Sequence, residues 1–153
     1  MKKFFVLAAA GLAVAGCVAA RIAKPAPAAE AEELAPPNPI TFATVGAWTA
    51  GGRDGATVRI VLLPGDAAEL VRAWRGPTEI RLADGTRAGE AVAAALLPDG
   101  RLRAAARLNR AGARAYMGGA RELDASFVAE DRGGALVPVG VDQFTLVPRG
   151  RWR

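Results

Sequence analysis

The chain has 153 residues, with 20 Lys or Arg against 15 Asp or Glu, a formal charge of +5, 52% apolar residues, no histidine and one cysteine. Without His or a second Cys there is no Ser-His or Cys-His nucleophile machinery, no Cys/His zinc site and no disulfide framework. A Ser-Lys dyad beyond the N-terminal region is excluded as well, because Lys24 is the last lysine of the chain.

Lys2 and Lys3 precede an apolar run from Phe4 to Leu12, far short of the roughly 20 residues that a spanning helix needs. Val14-Ala15-Gly16-Cys17 follows, a small-residue pair set directly before the only cysteine. This stretch resembles the lipobox of bacterial lipoproteins. The resemblance implies that residues 1–16 are a signal peptide cut before Cys17. It also implies that Cys17 then carries a diacylglycerol on its thiol and an N-acyl chain of the palmitate kind, with no other cofactor. The alternative reading of Cys17 is an ordinary apolar residue of a secretory signal or an uncleaved anchor. Val18, not Asp, stands after Cys17, and by resemblance to the sorting rules of enteric-type bacteria this implies the outer membrane, facing the periplasm. Loss of Lys2 and Lys3 takes the charge from +5 to +3, so nucleic acid is not an expected partner, and with no His and no free Cys neither is a metal ion.

Residues 17–39 read as a lipidated Cys followed by a tether. From Arg21 onward this stretch holds Pro25, Pro27, Pro36, Pro37 and Pro39 among Ala and Glu, with few large apolar residues. Proline locks φ and Ala and Glu supply no core, so an extended spacer with a reach on the order of 50 Å is expected. Residues 40–153 suit one compact domain.

Within that domain Thr41 to Trp48 and Thr57 to Leu63 are rich in β-branched and aromatic residues and flank a Gly-rich turn, which predicts a strand pair. Asp66 is a suitable N-cap for a helix from Ala67 to Trp74, whose Leu70, Val71 and Trp74 share a face. Thr78 to Leu82 reads as a strand. Gly89 to Leu97 and Leu102 to Leu108 read as a hairpin around Pro98-Asp99-Gly100, and Asn109 caps a second helix ending at Met117. Strands at Leu123 to Glu130, Ala135 to Val139 and Val141 to Val147 complete the chain, with a turn at Asp131 to Gly134. The expected fold class is α+β: a mainly antiparallel β-sheet or partly closed β-barrel with two short helices, behind the signal peptide and the Pro/Ala-rich tether.

Residues 57–148 offer, in order, Leu63-Pro64-Gly65 before a helix, a strand, then Gly89 leading to Leu97-Pro98-Asp99-Gly100-Arg101-Leu102. Leu108-Asn109 then opens a helix, followed by Leu123-Asp124-Ala125-Ser126-Phe127-Val128 and Gln143-Phe144-Thr145-Leu146-Val147-Pro148. This succession resembles the prohead (capsid maturation) serine proteases of tailed phages. The resemblance places Ser126 at the nucleophile position, Gln143 at the acidic position, and the family's essential His within Thr78 to Asp84, where this chain has none. Serine needs a base, and loss of a triad member costs several orders of magnitude in rate, so the resemblance implies a catalytically silent copy. An active hydrolase would have to pair Ser126 with Glu79 or Asp142. Read without the resemblance, Ser126 is an ordinary strand residue.

Asp124, Glu130, Asp131 and Asp142 read as a solvated edge unless a cleft gathers them. Arg101, Arg103, Arg107 and Arg110 read as a solvated face, and Trp48, Trp74, Phe127 and Phe144 as core. Arg149, Arg151, Trp152 and Arg153 form a cationic C-terminus fit to touch anionic headgroups or a partner's acidic face, or else a frayed tail. Together these features favour a non-enzymatic lipoprotein of the bacterial cell envelope, held to the membrane by its lipid, with a β-rich scaffold or binding domain for another envelope protein or a peptide. The runner-up is a degenerate prohead-protease-like domain.

Overall fold

A computed structural model describes residues 32–51 and 54–150. The fold belongs to the unit spanning Glu33–Arg153. Eight strands run β1 (Asn38–Thr44), β2 (Gly46–Gly51), β3 (Thr57–Leu62), β4 (Thr78–Arg81), β5 (Arg87–Leu96), β6 (Arg101–Leu108), β7 (Ala120–Arg132) and β8 (Ala135–Pro148). Two short helices are interposed, α1 (Pro64–Arg72) between β3 and β4 and α2 (Arg110–Met117) between β6 and β7. The strands form one curled sheet, a half-barrel in the order β1-β6-β5-β4-β8-β3-β2, with β7 pairing the remaining edge of β8.

The β5–β6 hairpin follows its turn chemistry. Asp99 Oδ1 accepts from the Arg101 N–H at 3.0 Å, and Gly100 adopts φ +89°. Along β6 the alternation is strict: Leu102, Ala104, Ala106 and Leu108 are buried while the residues between them face outward. Asn109 then caps α2 twice over. Its Oδ1 accepts from the Gly112 N–H and its Nδ2 donates to the Arg87 carbonyl, both at 2.9 Å, which ties the helix start to β5. Gly112 lies so near β5 that a Cβ there would collide with the Ala88 carbonyl oxygen, so this helix can sit where it does only with glycine at that turn.

Elsewhere tertiary pairing redraws the expected elements. The predicted strand from Thr41 to Trp48 is two strands. Its first part, β1, lies along β6, with a bulge at Thr41/Ala43 that lets Phe42 and Ala43 both point inward. The Val45 N–H bonds to the Gly100 carbonyl at 2.8 Å, Gly46 takes φ +142°, and the chain then joins β3 as β2, with Trp48 opposite Ile60. Helix α1 begins at Pro64, three residues before the expected Ala67. Proline is well suited to the first helical turn, and Asp66 therefore lies inside that turn and is not the cap. Gly140 does not divide β8, which continues through bulges against β7 for 14 residues.

The concave face holds the core. Phe42 meets Phe144 edge-on at 5.1 Å between centroids, and Trp74, just past α1, stacks on Phe144 at 5.9 Å. Ile40, Leu62, Ile80, Leu102 and Leu123 are fully buried around them, and α1 adds Ala67 and Leu70.

Candidate functional site

Ser126 and Gln143 stand directly opposite each other in the β7–β8 ladder. The adjacent pair is Ala125 and the fully buried Phe144, so the two-residue alternation turns Ser126 and Gln143 to the outer face. β4 borders the other edge of β8 with Ile80 opposite Phe144, which sets Glu79 beside Gln143 on that same face. The three segments singled out by the protease resemblance therefore occupy adjacent strands. The chemistry between them is weak. Gln143, the nearest cross-strand neighbour of Ser126, is an amide and no base. Glu79 lies two strand spacings from Ser126, about 10 Å, and its carboxylate accepts from the Arg81 guanidinium at 2.8 Å and 3.4 Å. Asp142 occupies the irregularity where the register skips from Gln143 to Val141, and both it and Ser126 are exposed.

That irregularity has a second effect. Past Ser126 the ladder resumes with Phe127 opposite Val141, and Phe127 turns inward to meet Trp48 of β2 at 6.2 Å between ring centroids. Strands β7, β8, β3 and β2 are neighbours in that order, with β3 joining β8 in parallel through Ile60 and Leu136. β2 and β7 are thus the two outer strands of a curled arm, where among the described residues β2 pairs in the sheet with β3 and β7 with β8. Between them lies a cavity of about 630 Å³. Its apolar wall is Ala50, Val58, Ile60, Ala125, Phe127 and Leu136, and its polar rim is Asp54 and Ser126. Two of its members, Ser126 and Phe127, were visible in the sequence as a candidate nucleophile and a core aromatic. Ala50, Val58, Ile60 and Leu136 had no signal beyond strand alternation, because the groove exists only once β3 pairs in parallel with β8.

A smaller hollow of about 190 Å³ lies on the far side of β8, lined by Trp74, Arg75, Thr78 and Val139–Val141. The indole Nε1 of Trp74 is buried without a hydrogen-bond acceptor among the described residues. Arg107, one of the four arginines read as a solvated face, is half-buried with its Nε likewise unpartnered among the described residues.

At the end of β8, Arg149 is exposed, and the buried carboxylate of Glu122 accepts from the Gly150 N–H at 3.1 Å. Arg151, Trp152, Arg153 and the lipidation candidate Cys17 lie outside the described residues. Among the described residues no His, Cys, Asp or Glu cluster is grouped to hold a metal ion, and no helix is long and apolar enough to cross a membrane. Compared with known proteins, the chain matches no family model, no curated protein and no solved structure.

Proposed function

We propose that this chain is a lipid-anchored protein of the bacterial cell envelope, tethered through Cys17 to the outer membrane on its periplasmic side, whose half-barrel domain binds another envelope protein or peptide and catalyses nothing. The observation that carries the binding part of the reading is the open apolar groove between the outer strands β2 and β7. An apolar concavity with a few polar groups at its rim is the usual form of a recognition site. The lipobox-like Val14-Ala15-Gly16-Cys17 supports the anchor. Against catalysis stands the pairing of Ser126 with an amide, with the nearest candidate carboxylate of β4 already engaged by Arg81.

Cell fractionation tests the anchor. The natural chain should partition with outer-membrane vesicles, and Cys17→Ser should accumulate as unprocessed precursor without lipid. Normal processing and membrane partition of the Cys17→Ser chain would exclude lipid anchoring.

The degenerate prohead-protease reading is favoured by one arrangement, the placement of Ser126, Gln143 and the Thr78–Arg81 strand on three adjacent strands of one outer face. It is compatible with the binding function as an account of where the fold came from.

A further inference from the structure

The groove's walls are strand edges, and its surroundings are acidic on a chain whose overall charge is positive. Asp54 sits at its rim, Glu130 and Asp131 stand near the tip of β7, and Asp142 follows on β8. The carboxylates of Asp54 and Asp131 cap local turns through the Ala56 and Gly134 N–H groups, at 3.0 Å and 2.9 Å. Such bonds keep the charge. Among the described residues no Lys or Arg pairs with Asp54, Asp131 or Asp142; Arg132, the cation at the tip, is already shared between Asp66 and Glu130. Arg59 of β3 and Arg121 at the start of β7, which donates to the Tyr116 carbonyl, are the other described cations of this arm, and Arg53, beside Asp54, lies outside the described residues.

Ala129 to Arg132 are all exposed, as is the side chain of Val128, and among the described residues this end of β7 pairs in the sheet with β8 alone, so it offers a row of backbone donors and acceptors beside the apolar floor. An open edge of this kind is a template for an added strand. The structure points to one occupant, and resting on the binding reading above, we propose that the groove takes an extended, basic peptide segment of a partner protein. The segment pairs as a strand with the exposed edge of β7 from Phe127 to Arg132, sets alternate apolar side chains against Ile60, Phe127 and Leu136, and directs its Lys or Arg side chains to Asp54, Asp131 and Asp142. Main-chain bonds would supply affinity, the apolar floor the register, and the acidic rim the preference for cationic partners.

The test uses the full chain purified from membranes in a nonionic detergent, with three dye-labelled ten-residue peptides: alternating Val and Lys, alternating Val and Glu, and the Val/Lys peptide with proline at every third position. Expected is saturable binding of the Val/Lys peptide, at least tenfold weaker binding of the other two, and slowed hydrogen exchange at the amides of Phe127–Arg132. Ala129 is exposed at the groove, so Ala129→Trp should fill it without disturbing the core and weaken binding tenfold or more, with an unchanged circular dichroism spectrum. Asp54→Asn combined with Asp131→Asn should weaken the Val/Lys peptide several-fold and leave the Val/Glu peptide unchanged. Equal binding of the Val/Lys and Val/Glu peptides would overturn the basic partner. Unweakened binding of the proline peptide, or unslowed exchange on β7, would overturn strand addition. Fractionation of the Cys17→Ser chain is independent of all these readouts, so failure of the anchor and failure of the groove are told apart.

Discussion

Ser126 shows how far a single residue can be read from a strand pattern. Its placement opposite Gln143 gives it an amide neighbour and no base, and on the outer face of the sheet an unactivated hydroxyl is a poor nucleophile. A serine-reactive phosphonate should therefore leave the chain unlabelled over hours by mass spectrometry; labelling that disappears in Ser126→Ala would establish an activated serine. Asp84 is a second residue with a measurable consequence. Its Oδ1 accepts from the Thr86 N–H at 2.9 Å in the β4–β5 turn, and these bonds to Thr86 hold its carboxyl below the ordinary aspartate range. Because the folded state favours the ionised form, Asp84 contributes stability above the usual carboxylate pKa, and that contribution is lost as pH falls through its lowered value. Urea midpoints should therefore drop further between about pH 6 and about pH 3 in the natural chain than in Asp84→Ala. A fully exposed group makes this a small effect, and identical slopes would remove Asp84 from the acid response.

Elements were legible where local chemistry decides them. The β5–β6 hairpin is written in Pro98-Asp99-Gly100 and the alternation of β6, and α2 is written in Asn109, whose amide both caps the helix and grips β5. Elements governed by distant partners were not legible. Nothing near Val45 says that Thr41 to Thr44 will lie on β6 while Trp48 lies on β3, since that division rests on the Val45 bond to Gly100, 55 positions along the chain. The parallel pairings of β3 and β4 with β8 are similarly non-local, and the groove depends on them. The packing of α2 gives the sharpest prediction at this scale. Gly112→Ala would drive a methyl into the Ala88 carbonyl, and because backbone rather than a flexible side chain must yield, a loss of about 1–3 kcal/mol is expected despite alanine's better helix propensity. Chemical denaturation measures it. An unchanged or raised midpoint would mean that α2 can lift from β5 at no cost.

For the molecule as a whole, the lack of His and of a second Cys removes the nucleophile and zinc chemistries that need them, and the sheet supplies what composition cannot: a concavity between two outer strands, with Asp54 at its rim and further carboxylates near the tip of β7 and on β8, on a chain whose net charge is positive. The fold class was readable because strand alternation and turn residues agree along most of the domain, whereas the site arises from chain segments about 75 residues apart, Ile60 and Leu136, meeting across one sheet. In the proposed reading, anchor and groove together make a tethered recognition domain, with the cationic net charge and the acidic arm as separate electrostatic regions. The most direct test is intact-mass and N-terminal peptide mass spectrometry of the chain isolated from bacterial membranes. An N-terminus at Cys17 carrying a diacylglycerol and an N-linked acyl chain is the expected result; a chain that begins elsewhere, or an unmodified Cys17 thiol, would contradict lipid anchoring and with it the envelope role proposed for the domain.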